Sequence, residues 1–125
     1  MKDLKPTCRI AVVQAAPVLF DKTACTDKAV RLIAECAQHG AELIVFPELF
    51  IPGYPYGMTF GFTVGARNED GRKDWQLYCG NSIVVPGPET ERLAAAAKAA
   101  QAAGIRTLNA AAAVMVSKYF SRKMA

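Results

Sequence analysis

Two short β-branched apolar runs, each closed by a proline, bracket one amphipathic segment. That arrangement limits what the chain can become. Residues 8–16 (CRIAVVQAA) end at Pro17, and Leu43-Ile44-Val45-Phe46 ends at Pro47. A run apolar on both faces is what a buried strand needs. Between the two, Asp21 or Thr23 is placed to cap a helix. Val30, Ile33, Ala34 and Ala37 follow the i, i+3, i+4, i+7 spacing and predict its apolar stripe. Gly40 stands where a helix commonly ends, because glycine accepts the left-handed conformation there. Strand, helix and strand in close succession make a βαβ-like unit, so the expected class is α/β, a sheet covered by helices.

The rest of the chain is less regular. Residues 50–68 contain Pro52, Gly53, Pro55, Gly57, Gly61 and Gly65, interleaved with Tyr54, Tyr56, Phe60 and Phe62. Such a Gly/Pro frame fits either a pocket wall or an ordinary surface loop with aromatic anchors. Asp74 to Gly80 predicts a short helix with Trp75 and Tyr78 on one side. Pro86-Gly87-Pro88 breaks the chain. A clearer helix is expected from Glu89 to Ala103, with acids in its first turn and a narrow stripe of Leu93, Ala96, Ala97 and Ala100. Gly104 is its expected stop, and Ile105–Leu108 reads as the start of a strand.

The totals exclude several classes. The 125 residues are 52% hydrophobic, a globular composition, and no apolar run has the length of a membrane span. Lys2 and Lys5 ahead of Ile10–Phe20 superficially resemble a secretory signal, but Asp3, Arg9 and Gln14 interrupt it, so a cytoplasmic protein is expected. Cys8, Cys25, Cys36 and Cys79 form no C-x-x-C pair, and His39 is the one histidine. No metal site is therefore expected, and Cys25 and Cys36 read as small buried or half-buried helix residues. The net charge of +4 is unevenly spread, because residues 92–125 hold six Lys/Arg and no acid. A solvated helix face with a basic tail accounts for this. Without aromatic interleaving or a nucleic-acid motif, no nucleic-acid or membrane partner is expected.

The chemistry concentrates in residues 40–55, GAELIVFPELFIPGYP. Glu48 follows the second strand, just past Pro47, which cannot donate to a sheet ladder. Open α/β sheets bind ligands beyond the carboxyl ends of their strands. A carboxylate there, among Phe46, Leu49 and Phe50, suits a general base; a solvated strand-end glutamate is the alternative.

This stretch resembles the signature of the nitrilase and cyanide hydratase branch of the carbon–nitrogen hydrolase superfamily. The matching positions are Gly40, Leu43, Ile44, Phe46, Pro47, Glu48, Ile51, Gly53, Tyr54 and Pro55. Val12-Val13-Gln14-Ala15, Val85-Pro86-Gly87-Pro88-Glu89 and the Ala-rich helix after it are similar to the same family in the same order. The resemblance implies the N-terminal part of an α-β-β-α sandwich, incomplete in this chain. It implies a Glu–Lys–Cys triad, in which the glutamate deprotonates the cysteine. The thiolate then attacks a nitrile carbon to give a thioimidate, the lysine stabilises developing charge, and water releases ammonia and a carboxylic acid. The chemistry asks for an activated cysteine because a nitrile needs a strong nucleophile. No cofactor is implied. The substrate would be a small organic nitrile, and the lineage forms homo-oligomers.

Residue by residue, the resemblance assigns Glu48 the role of general base and Tyr54 a place in substrate binding. It assigns no more. The chain contains no Cys-Trp-Glu, and all four cysteines precede residue 80. Arg122-Lys123 faintly resembles the lysine segment, but the spacing is too short, so Lys123 is not carried over. The expected division is a partial hydrolase domain over 8–105 and a non-matching basic tail over 106–125, the product of a frameshift, a misjoined exon, a premature stop or a natural truncation. Alternatives to a nitrilase are a non-catalytic fragment of one and an amidase- or carbamoylase-type member of the superfamily.

Overall fold

A computed structural model describes residues 7–55 and 69–102. Two parallel strands, β1 (Ile10–Val12) and β2 (Leu43–Val45), flank helix α1 (Lys22–Gln38) in sequence. Helices α2 (Glu69–Gly80) and α3 (Pro88–Ala102) follow. Ile10 pairs with Leu43, Ala11 with Ile44 and Val12 with Val45, and the ladder extends through Val13 N–H to the Val45 carbonyl at 2.8 Å. The α/β arrangement expected from the two proline-closed runs is present, with strands shorter than those runs. Gly104, the strand expected at Ile105–Leu108 and the tail after it lie outside the described residues, as do Tyr56, Phe60 and Phe62.

Helix α1 begins at Asp21, whose carboxylate accepts from the Ala24 N–H at 2.8 Å and satisfies one of the helix's orphan donors. It ends where Gly40 takes φ +79° and donates to the Ala37 carbonyl at 2.8 Å. A side chain at Gly40 would run into the Arg9 guanidinium, which reaches the His39 carbonyl at 3.4 Å and so joins the helix end to the start of β1.

The buried face of α1 is rotated from the expected stripe. Cys25, Thr26, Ala29, Ile33 and Ala37 are buried, Val30 is half-buried and Ala34 is exposed. Packing explains the difference. α1 lies against α3, and small residues at four-residue steps let a second helix approach closely. α3 presents Leu93 and Ala100 as its buried apolar positions, with Ala96 and Ala97 half-buried, as their spacing predicts. Outside this core, Arg92 pairs with Asp27, and Lys22 with Glu89 at 3.8 Å. The amide of Gly87, ahead of α3, donates to the Thr90 hydroxyl at 2.9 Å.

The strands are not buried on both faces. Ala11 and Ile44 point into the core shared with α1, whereas Ile10 and Val12 are 54% and 76% exposed. Their register partners Leu43 and Val45 are half-buried. Among the described residues, helices cover one side of the sheet, so the apolar alternation on the other side meets solvent.

α2 begins earlier than its apolar residues suggest. Glu69 and Asp70 occupy its first turn, where the helix dipole favours acids, and pair with Arg72 and Lys73 at i, i+3. Exposed charge pairs thus mark its first turn, and its apolar contact lies further on, at Tyr78 against Phe20. Gly71 is its one buried residue.

Candidate active site around Glu48

The turn after β2 is built to hold its underside still. Beyond Pro47, Leu49 takes the left-handed conformation at φ +52°, which for a residue with a side chain costs on the order of 1–2 kcal/mol. The Phe50 N–H closes on the Pro47 carbonyl at 3.3 Å, and the Gly53 N–H on the Leu49 carbonyl at 2.9 Å. Phe50, Ile51, Pro52 and Gly53 are buried. The Phe50 ring packs on Phe46 with centroids 5.1 Å apart, and its carbonyl accepts from the Cys25 thiol at 2.9 Å. Glu48 is exposed and Tyr54 is 52% exposed. The carboxylate and the phenol thus stand on a turn anchored through its buried residues.

Gly53 is required by geometry. Its φ is +109°, and an added Cβ would come within 2.5 Å of Leu19 and 3.3 Å of Pro17. The segment before α1 therefore lies directly against this turn. There the Phe20 N–H donates to the Pro52 carbonyl at 3.3 Å, and the Phe20 ring meets Tyr78 of α2 edge to face, centroids 6.4 Å apart. Burial first, then Cys79, Tyr54 and Glu48, push the Tyr78 phenol above its ordinary range. Glu48, Tyr54 and Tyr78 accordingly share one neighbourhood. The sequence places Tyr78 on the packed side of its helix but gives no signal linking it to a turn about two dozen residues earlier. Packing alone brings them together.

Cys25, Cys36 and Cys79 lack the feature of an activated nucleophile. Burial pushes the thiols of Cys25, Cys36 and Cys79 up, in each case as the largest cause, and a reactive thiolate needs the opposite shift. Cys25 is also engaged with Phe50. All four cysteines are free, Cys25 buried and Cys36 half-buried as their places in the helix suggest, and Cys8 and Cys79 exposed. Among the described residues, no group of three or more His, Cys, Asp or Glu is arranged to hold a metal ion.

A shallow cavity of about 230 Å³ lies at the other end of the strands, lined by Arg9, Ile10, Ala11, Glu35, Cys36, His39 and Ala41. It surrounds the Arg9 contact with the end of α1. Glu48 instead lies beyond the strands' carboxyl ends, where α/β sheets place their chemistry.

Residues 9–111 match the family of carbon–nitrogen hydrolases over most of the chain's length. The chain belongs to that family. Its relatives place it in the nitrilase branch, as a match to the N-terminal part. A bifunctional nitrilase/nitrile hydratase of Nicotiana tabacum is 52% identical over 92 residues, covering 74% of this chain and 26% of the relative. A bifunctional nitrilase/nitrile hydratase of Lupinus angustifolius is 51% identical with the same coverage. Nitrilase 3 of Arabidopsis thaliana is 49% identical over 92 residues, covering 74% of this chain and 27% of its own length. The chain thus spans about a quarter of the length of the curated relatives it matches. No described helix of this carbon–nitrogen hydrolase is long and apolar enough to cross a membrane.

Proposed function

We propose that the chain carries the general-base segment of a nitrilase acting on a small organic nitrile, with Glu48 as the base and Tyr54 as a substrate-binding residue. One observation carries the reading. An exposed glutamate follows the strand-ending Pro47, on a turn held by buried neighbours, in a stretch of 92 residues about half identical to a nitrilase/nitrile hydratase. A base must be fixed within hydrogen-bond reach of the proton it takes, and the Cys25–Phe50 and Gly53–Leu49 contacts supply that fixity.

In the mechanism we propose, Glu48 accepts the proton of a cysteine thiol as sulfur attacks the nitrile carbon. A carbon–sulfur bond forms, a nitrile π-bond opens onto nitrogen, and a thioimidate results. A lysine stabilises the charge on that nitrogen. Addition of water, loss of ammonia and hydrolysis of the resulting thioester give the carboxylic acid and regenerate the thiol. No cofactor is needed. None of the four cysteines resembles the family's nucleophile in its sequence context, so this chain alone is proposed to be catalytically silent. The α-β-β-α sandwich, a partial domain over 8–105, cytoplasmic location and assembly with further copies belong to the same proposal.

The test is a chimera in which residues 9–100 replace the matching segment of the Nicotiana tabacum relative. It is assayed for ammonia and for amide, since that relative's name includes both nitrilase and nitrile hydratase. The chimera is expected to turn over nitriles, and Glu48→Gln is expected to lower the rate roughly 10²–10⁴-fold. A chimera indifferent to Glu48→Gln removes Glu48 from the chemistry.

A further inference from the structure

Among the described residues, two besides glycine take the left-handed conformation, Leu49 at φ +52° and Phe20 at φ +56°. Leu49 belongs to the turn after β2, Phe20 to the segment after β1. The two strands are parallel neighbours, so both loops leave the same edge of the sheet, where open α/β sheets form their ligand crevice. Such backbone is strained in a residue with a side chain, and strain of this kind gathers at ligand sites. In the segment after β1, the Asp21 N–H reaches the Val18 carbonyl at 3.4 Å and closes a four-residue turn with Leu19 and Phe20 at its corners. A second corner with positive φ normally falls to Gly or Asn. Phe20 holds it through two contacts, its amide on the Pro52 carbonyl at 3.3 Å and its ring on Tyr78. Leu19, at the first corner, is left 55% exposed. Its side chain lies so close over Gly53 that a Cβ there would come within 2.5 Å of it. The residue after Gly53 is Tyr54, itself 52% exposed. A leucine and a tyrosine thus meet solvent side by side, one from each loop. We propose that Leu19 is a specificity-determining residue, an apolar wall beside Tyr54 that selects nitriles carrying an uncharged apolar substituent. This rests on the reading of Glu48 and Tyr54 as site residues of a nitrilase.

The chemistry suits the task. A lone exposed leucine is ordinary on a protein surface. This one stands on a strained, hydrogen-bonded turn, against the residue that precedes Tyr54. The nitrile group itself is short and linear, so discrimination among nitriles falls on what its carbon bears. Leu19 offers neither a donor nor an acceptor, and Pro17, also against Gly53, extends the same apolar surface. An alkyl or aryl substituent laid over these groups removes apolar area from water on both partners. The Tyr54 ring adds a flat face for such a group. A charged substituent would lose hydration there without gaining a partner. A carboxylate substituent would in addition meet the acid of Glu48 on the same turn.

The experiment reads binding in the full chain, without turnover, since both loops lie within it. Leucine methyl and tyrosine ring resonances are followed by NMR as phenylacetonitrile, acetonitrile or cyanoacetate is added. Phenylacetonitrile is expected to move the Leu19 methyls and the Tyr54 ring along one saturating curve. Acetonitrile, which lacks the apolar group, and cyanoacetate, which carries a charge, are expected to bind roughly tenfold more weakly or less. Leu19→Ser is expected to weaken phenylacetonitrile roughly tenfold while leaving acetonitrile and the amide spectrum unchanged. Leu19→Met, which keeps an apolar side chain, is expected to restore most of the binding. A Leu19 methyl that phenylacetonitrile does not move overturns the proposal, as does a folded Leu19→Ser that binds it like the wild type. If Leu19→Ser loses its fold, the wild-type titration and Leu19→Met decide. The base reading is judged separately by Glu48→Gln in the chimera. A chimera that requires Glu48, with binding blind to Leu19, discards the Leu19 wall only. Leu19-dependent binding with a chimera indifferent to Glu48 discards the base only.

Discussion

The thiol of Cys25, in the second turn of α1, donates to the carbonyl of Phe50 at 2.9 Å, two residues beyond Glu48. Helix and turn are tied by a bond that no solvent reaches, since Cys25 is fully buried and Phe50 nearly so. Cys25→Ala leaves that carbonyl without its donor and opens a small void. The expected loss is about 1–3 kcal/mol, read as a lower urea midpoint with an unchanged slope. An unshifted midpoint would mean that the tie adds nothing to stability.

The same burial gives the protein an alkaline limit. Cys25, Cys36, Cys79 and Tyr78 all have folded-state values above their ordinary ones, with burial the first cause in each case. The unfolded chain gives up these protons earlier than the folded chain does. Their contribution is therefore complete below the ordinary thiol value of 9.0 and is lost as pH rises through the folded-state values. Thermal midpoints measured from neutral pH upward should hold level and then fall above about pH 9, less steeply in Cys25→Ala. A midpoint that climbs over that interval contradicts this sign.

The first cap can be removed singly. Asp21 accepts from Ala24 at 2.8 Å and is itself exposed, so Asp21→Ala deletes one capping bond without disturbing the core. The expected cost is about 1 kcal/mol, with Asp21→Asn near neutral because its amide oxygen can accept the same bond. Chemical denaturation of the two variants side by side checks it. Equal losses in both would assign the effect to charge rather than to the cap.

What the sequence displays and what it conceals separate along physical lines. Asp21, Gly40, Pro47 and the spacing of Leu93 and Ala100 are local signals, and each does in the fold what its chemistry suggests. The motif residues around Glu48 are equally local. The phase of α1 is not, because Ala29 and Cys25 are chosen by the approach of α3, which hydrophobicity along α1 does not encode. The exposure of Ile10 and Val12 depends on what covers the second face of the sheet, which no periodicity reveals. Tyr78 reaches the site through Phe20, a contact between residues that only folding makes neighbours.

Gly53 offers the sharpest separation of stability from chemistry. Its φ of +109° lies where side chains are rarely found, and an added Cβ would press on Leu19 at 2.5 Å and Pro17 at 3.3 Å. Leu19 is a flexible, 55% exposed side chain that can swing aside, whereas the Pro17 ring has little room to yield. Gly53→Ala must therefore either strain the backbone or lift the turn from the residues before α1. Lifting it breaks the Phe20–Pro52 hydrogen bond and moves Tyr54, the next residue, while the Cys25–Phe50 tie holds the earlier part of the turn. The expected stability loss is about 1–3 kcal/mol. In the chimera, the apparent affinity for nitrile should weaken more than the turnover rate, because Tyr54 is displaced and Glu48 is retained. Leu19→Ala should recover part of the stability loss by clearing the nearer contact. Turnover falling with unchanged KM would instead show that the turn moves as one piece, with Glu48 carried along.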